Sequence, residues 1–518
     1  GHYTEARAYN TQTYGDVMVN INKTFGDDWS LNANIGASIN NIKTDELSYR
    51  GPIQENGLPN VFNVFDLDDT KKRAEKTGWH DQTQSLFASV EVGWRKMLYL
   101  TVTGRNDWAS QLANSPSSSF FYPSVGLSWV PTSTWDLGEA LSYLKIRGSI
   151  ASVGMPFPRH LTIPTYEYDA TNRVWKDKTH YPIGDLKPER TTTYEVGLDA
   201  RLWQRISLSA SWYQADTKNQ TFDPSLPPSS SYTTIYLQTG HVRNTGVELS
   251  AGYDNQWRDF RWETNFTYSW NRNEIIELAA NAVNPVTGEP LNLNKLDIKG
   301  LGKAKYILKE GGTLGDLYTT SDLRFNDNGY IEVDKNGNLL LTDEGDDIYL
   351  GSVFPDHNLA WRNDFSWKGI NLGVLFTARI GGICYSATQA NMDLYGVSEA
   401  SAAARDAGGV WINGRELVDA QKWYQAIGSQ SGLPQYYTYS ATNIRLQELS
   451  LGYTLPAKWF RDKMRMTVSF VGRNLWMIYC KAPFDPEAVA STGLNYQGID
   501  YFMMPSLRSL GFNVKFQF

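Results

Sequence analysis

From Val17 onward the chain alternates apolar and polar residues in long segments separated by turns. Val17, Val19 and Ile21 alternate with polar residues, Phe25-Gly26-Asp27-Asp28 turns the chain, and Leu31, Ala33, Ile35, Ala37 and Ile39 resume the period. A two-residue period puts the apolar side chains on one face of a strand and the polar ones on the other. The pattern recurs at roughly 84–96, 98–107, 121–130, 143–153, 191–203, 205–218, 243–254, 260–276, 355–368, 370–383, 442–455, 464–479 and 504–518. It predicts about fifteen strands, most of ten residues or more, where soluble strands average about half that length. Strands of ~9–11 residues tilted near 45° cross a bilayer. The last segment sets Leu510, Phe512, Val514, Phe516 and Phe518 against Gly511, Asn513, Lys515 and Gln517, and ends on an aromatic, as outer-membrane barrels do.

Connection lengths point the same way. Counted back from residue 518, long connections at about 480–503, 384–441, 277–354, 219–242, 154–190, 108–120 and 41–83 alternate with short ones. The short ones lie at about 456–463, 368–369, 255–259, around Gln204, 131–142, 95–97 and 24–28. In an antiparallel meander every second connection falls on the same rim. One rim is therefore predicted to carry tight turns and the other long loops, as in outer-membrane barrels. A β-propeller would repeat every ~40–50 residues, and no such period is visible. The predicted fold class is all-β: a transmembrane antiparallel β-barrel.

The faces assign themselves by cost. Arg or Lys facing lipid at mid-bilayer costs about 2–4 kcal/mol, so the polar set is expected to face the lumen. Glu195, Asp199 and Arg201 oppose Val196, Leu198 and Ala200, and Arg379 opposes Ala378 and Ile380; with Glu248 these are the lumen-facing candidates. Trp94, Trp129, Trp203, Trp270, Trp367 and Trp476 sit near strand ends, where a membrane girdle belongs. One strand changes phase, from Ile444 and Leu446 to Leu449, Leu451 and Tyr453, which predicts a β-bulge near Gln447-Glu448.

Composition narrows the classes. The chain has 518 residues with 18 Trp, 30 Tyr and 43 Gly, but no run approaches the ~18 apolar residues of a membrane helix. A net charge of −7 without a basic block argues against nucleic acid. The opening GHYTEARAYN lacks a leader pattern, as expected of a mature product or of a piece of something longer. Six isolated histidines, no HExxH and no Cys/His cluster argue against an enzyme. Gly300-Leu301-Gly302 lacks the rest of a dinucleotide loop, and Asp346-Asp347 reads as a solvated pair with no sign of a glycosidase dyad. No cofactor is expected. Asp334, Asn336 and Asn338 have the early spacing of a calcium loop, but the glycine stands at Gly337 and the twelfth position is Gly345. A solvated acidic hairpin outweighs a calcium site there.

Several segments are more specific than alternation. LKPERTTTYEVGLDARLW (Leu186–Trp203), ISLSASWYQADTKNQ, NTGVELSAGYD (Asn244–Asp254), NIRLQELSLGYTLPAKW (Asn443–Trp459) and VSFVGRNLWMI (Val468–Ile478) follow in order, after FFYPSVGLSWV (Phe120–Val130). In this order and spacing the chain resembles the C-terminal barrel portion of SusC/RagA-type TonB-linked outer-membrane transporters of the Bacteroidetes, nearly end to end. The resemblance implies a 22-stranded barrel with an N-terminal plug, so about seven strands and the plug lie outside residues 1–518. It implies active import of large nutrients, oligosaccharides or oligopeptides. The implied partners are a SusD-like lipoprotein lid, the TonB–ExbB–ExbD system, the plug with the remaining strands, and outer-membrane lipid. A passive porin-like channel and a surface adhesin are the alternatives. The two cysteines, Cys384 and Cys480, fall on strands two places apart. At ~4.8 Å per strand they lie beyond the ~7 Å limit of a disulfide, so free thiols are expected.

Overall fold

The computed structural model describes residues 1–56, 60–162, 166–169, 174–177, 180–181, 186–222, 234–235, 237–278, 294–342, 345–491, 493 and 496–518. The expected loops 154–190, 219–242 and 277–354 include stretches such as 182–185, 223–233 and 279–293 that lie outside the described residues.

One antiparallel sheet of fifteen strands carries the chain, each strand hydrogen-bonded to the next in sequence order. Its first strands are β1 (His2–Phe25), β2 (Trp29–Pro52), β3 (Arg73–Trp94), β4 (Leu98–Ala109) and β5 (Ser119–Trp129). Then come β6 (Leu141–Met155), β7 (Glu189–Leu202), β8 (Ile206–Phe222), β9 (Leu237–Trp257) and β10 (Phe260–Glu277). The last five are β11 (His357–Trp367), β12 (Ile370–Ile380), β13 (Asn443–Thr454), β14 (Arg465–Cys480) and β15 (Ser509–Gln517). No helix among the described residues is long and apolar enough to cross a membrane.

Residues 1–134, 147–194 and 216–241 form one compact unit, and residues 135–146, 195–215 and 242–518 another. In the first, tight turns at 26–28 and 95–97 alternate with connections at 53–72 and 110–118. In the second, turns at 203–205, 258–259, 368–369 and 455–464 alternate with connections at 278–356, 381–442 and 481–508. Several tight turns close without glycine: Arg95-Lys96 and Trp203-Gln204 both adopt positive φ, the handedness that matches the twist of the flanking strands.

Each face is built by alternation. On β7, Val196 is 55% and Leu198 39% exposed, while Gly197 between them is buried. Across β1–β3 the polar face holds Gln12–Asn40 and Asn10–Thr44 hydrogen bonds of 2.9 and 2.7 Å. Close packing there is set by glycine: a Cβ at Gly36 would lie 2.5 Å from the Phe87 ring, so the ring lies over bare backbone. The phase change in β13 is a register shift, with Leu375 opposite Glu448 and Phe376 opposite Leu446. Gln447 is the extra residue, and Leu446 and Leu449 thereby share one face.

Several boundaries differ from the sequence pattern, among them the start of β1, which lies at His2 and not near Val17. The expected long loop 41–83 is shorter, because β2 runs to Pro52 and β3 starts at Arg73 in unbroken register. Residues 41–52 (NIKTDELSYRGP) are polar on both faces, so no apolar period marks this strand; cross-strand pairs such as Arg50–Glu75 accompany its ladder instead. The expected strand 504–518 begins only at Ser509, since Pro505 cannot donate to a ladder. Both cysteines are free, Cys384 buried and Cys480 half-buried. One strand separates the two that lead to them, yet Cys480 packs against the apolar cluster of Cys384, Ala441 and Ala482. Loop segment 383–386 pairs with 438–440 and not with the large sheet, which frees it to lean over the intervening strand. Burial pushes the Cys384 thiol up to about 12.

Deleting Gln447 preserves the alternation of β13, whereas deleting Ser450 moves Leu451 and Tyr453 to the polar face. The first variant is expected to assemble and the second to fail, read as the folded band of unheated electrophoresis. Equal behaviour of the two deletions would refute the bulge assignment.

Candidate functional site

Two features of the second unit stand out: a charged row on the polar face of β11–β14, and a folded block made from its longest connections. In the row, Arg362 donates to both carboxylate oxygens of Asp364 at 2.7 and 3.1 Å. It also reaches Glu448 on β13 at 3.5 Å, and Arg473 of β14 donates to the same carboxylate at 3.1 Å. Alternating signs thus run from β11 over the bare backbone of β12 to β13 and β14. Gly373 of β12 makes this possible, because a Cβ there would meet Ser450 Oγ at 2.5 Å and Asp364 Oδ1 at 2.9 Å. Sequence reasoning missed this row. Its local signal is the i, i+2 charge pair Arg362 and Asp364, but the partners come from strands far along the chain.

The expected lumen residues do not converge on one point. Asp199 accepts from Ser209 Oγ at 2.7 Å, Arg201 and Glu248 are exposed, and Glu195 is half-buried. Arg379 is half-buried, with its Nε shielded from solvent. Glu195, Asp199 and Arg201 share β7, while Glu248 lies on β9 and Arg379 on β12. Trp94, Trp129, Trp203 and Trp367 lie at the tight-turn ends of their strands, while Trp270 and Trp476 lie toward the long-connection ends. Trp270 pairs with His357 and Phe260 with Trp367, so the two levels are ten residues apart along β11.

The folded block grows from the connections. Segment 295–352 forms a four-stranded sheet in which Leu296, Ile307, Leu308 and Leu317 are buried. Lys295 and Lys309 flank Asp347 at 3.0 and 2.9 Å. Burial alone would raise this carboxyl, but the two ammonium groups hold it below the usual range. Connection 381–442 holds α1 (Ala387–Leu394), α2 (Glu399–Asp406) and α3 (Ala420–Ile427), each opened by a side-chain cap from Ser386, Ser398 or Asp419. The pieces interlock. Asn413 exchanges two hydrogen bonds with the backbone of Ile331, at 2.8 and 2.9 Å. Ser386 donates to Asp500 at 2.6 Å, and Tyr306 donates to the carbonyl of Gln497.

The calcium candidate resolves into this hairpin region. The Asp334 carboxylate accepts from the Asn336 and Asn338 amides, both at 2.8 Å, and from Asn338 Nδ2 at 2.9 Å. These bonds hold it below the usual carboxylate range. Asp334 and Asn338 come together, then, as a turn closed on itself. Among the described residues no group of three His, Cys, Asp or Glu is placed to hold a metal ion.

A buried ion pair anchors the block to the sheet. Arg445 of β13, almost fully buried, donates to both oxygens of Asp485 and reaches Asn443 Oδ1 at 2.9 Å. Asp485 also accepts from Ser506 and from the Glu487 amide. The first unit has its own small cluster in its connections, where Leu112, Phe157 and Leu186 are buried together and Arg159 stacks 4.0 Å over Trp79.

Long antiparallel strands with one apolar and one polar face, tight turns alternating with long folded connections, define the wall of a membrane β-barrel. The family described as TonB dependent receptor-like, beta-barrel, matches residues 1–375, and the chain belongs to that family of outer-membrane proteins. It is similar to TonB-dependent receptor P3 of Formosa agariphila, 24% identical over 98% of this chain and 52% of the relative. It is also similar to TonB-dependent receptor SusC of Bacteroides thetaiotaomicron, 22% identical over 72% of this chain and 38% of the relative. Among solved structures, the RagAB peptide transporter matches in fold with a TM-score of 0.74, 19% identity, 99% of this chain and 56% of that one. The chain spans about half the length of the curated relatives it matches.

Burial raises the Asp485 carboxyl, and the Arg445, Ser506 and Glu487 hydrogen bonds overcome that and hold it below the usual range. A depressed folded value stabilises fully above the unfolded value of about 3.9 and is lost as pH falls through the folded one. Protection of 481–508 against hydrogen exchange, taken relative to the intrinsic rate at each pH, is therefore expected to hold at pH 6 and to fall below about pH 3.9. Arg445→Met strands the carboxylate at a cost of about 3–5 kcal/mol and should release the segment at pH 6. Unchanged exchange in that variant would sink the anchoring role.

Proposed function

We propose that the chain is the larger part of the barrel of an energised importer for large nutrients, oligosaccharides or oligopeptides. It would work with a surface lipoprotein of the SusD type and with TonB–ExbB–ExbD. The observation that carries this reading is the joining of a polar, charge-lined strand face to a folded block at the long-connection ends. A passive pore needs the first and not the second. The similarity to the RagAB peptide transporter supports the import class. In lipid every backbone amide needs a partner, so the outer edges of β1 and β15 require further strands, and a plug would fill the lumen.

Glu195, Asp199, Arg201, Glu248 and Arg379 are assigned to the lumen. The tryptophans are assigned to two girdles. Ten residues between the Trp367 and His357 levels make about 33 Å of strand, or about 25 Å of height at a ~40° tilt, the height of the apolar band. Blocks 277–354 and 384–441 are assigned to the extracellular surface that meets the lid.

Cells carrying the full-length transporter should take up labelled peptides from a casein digest or labelled malto-oligosaccharides, and a protonophore should stop the uptake. Uptake that persists with the protonophore means a porin. No uptake of either mixture, with the protein present in the membrane, means the importer reading is wrong.

The faces and the block have separate tests. Val196→Arg is expected to reduce assembly at least tenfold and Asp199→Asn to leave it nearly unchanged; equal yields would reverse the faces. Deleting most of 384–441 should lower co-purification of the lid while the barrel still assembles. Undiminished co-purification would remove that segment from the lid interface.

A further inference from the structure

Helices α1, α2 and α3 enclose a cavity of ≈ 390 Å³, within the size range of small-ligand sites. Asp393, Tyr395, Ser401, Arg405, Asp419 and Tyr424 contribute to its wall. Asp393 is only 5% exposed and stands in the last turn of α1. There the negative end of the helix opposes a carboxylate. It accepts a hydrogen bond from Gln389 Nε2 at 3.0 Å and interacts with the Tyr437 hydroxyl, and among the described residues it forms no ion pair. A charge this deeply buried is ordinarily paired.

The other charges of the wall are committed. Asp419 caps α3 through the amides of Gln421 and Lys422, at 2.9 and 3.2 Å. Arg405 Nη1 donates to the Gly396 carbonyl at 2.6 Å. Around Asp393 stand phenols. Burial first, and then the Asp393 charge, pushes the hydroxyls of Tyr424, Tyr437 and Tyr439 above the usual phenol range, so these rings stay neutral. Of these rings Tyr424 lines the cavity together with Asp393, and a buried carboxylate beside a neutral aromatic ring is suited to an organic cation, which gains both the ion pair and the ring face.

We propose that this cavity binds an ammonium or guanidinium group, carried on a small amine or on a basic peptide side chain, with Asp393 as its counter-ion and Tyr424 and Tyr395 as its aromatic walls. The site belongs to the folded block alone and does not require that the protein import anything.

The test is isothermal titration of the detergent-solubilised full-length transporter with Gly-Lys-Gly, its Nε-acetylated form and butylamine. Gly-Lys-Gly is expected to bind and the acetylated peptide to bind at least tenfold more weakly. Butylamine binding without Gly-Lys-Gly binding would keep the site and restrict it to free amines. Asp393→Asn should weaken the bound amine at least tenfold. Arg405→Gln, which removes a like charge from the wall, should tighten it several-fold, and this variant serves if Asp393→Asn does not fold. No heat with either amine, or affinity unchanged in both variants, overturns the proposal.

Discussion

The constraint on which everything else rests is the pairing of backbone amides. In hydrocarbon an unpaired N–H or C=O costs several kcal/mol, so each strand must be laddered on both sides along its membrane depth. This is why the fifteen strands pair strictly with their sequence neighbours. It is also why β13 accommodates Gln447 as a bulge while Leu446 and Glu448 stay in the ladder. Side chains inherit what the ladder leaves. One face must be apolar because lipid meets it, and the other is free to carry charge.

That freedom is used in an ordered way. Arg362, Asp364, Glu448 and Arg473 alternate in sign across the polar face. Exposed pairs of this kind contribute little to stability, about 0–1 kcal/mol each, so the row matters more as a patterned surface than as a brace. The Arg445–Asp485 pair is the opposite case. Nearly buried and multiply hydrogen-bonded, it holds a connection in place, and losing either partner leaves the other stranded.

Much of the sheet was legible because lipid enforces the period. Ile370, Leu372, Val374, Phe376, Ala378 and Ile380 could be read directly, and so could the phase change at Gln447. The upper parts of β2 and β3 could not: above the apolar band, residues such as Asn41, Lys43 and Asp45 are polar on both faces, so alternation carries no signal there. The turn at Trp203-Gln204 was placed by the strands around it, since neither residue favours positive φ. The charged row and the Asp485 anchor were illegible for a different reason. Their partners lie on different strands or 40 residues apart, and single-sequence patterns report neighbours only. The helices of 381–442 carry recognisable caps at Ser398 and Asp419, but nothing in the spacing indicates that they enclose a buried Asp393.

The anchor at Asp485 has a consequence for how the barrel comes to completion. Connection 481–508 is tied near its start to Arg445 of β13, and near its end Ser506 returns to the same carboxylate. The segment that would have to search for β14 is thereby shortened from the whole connection to the few residues after Ser506. Loop-closure entropy falls with the length left free, so β15 is presented to its neighbour at high local concentration. A polar contact within the connection thereby lowers the chain entropy that the pairing of β14 with β15 has to overcome.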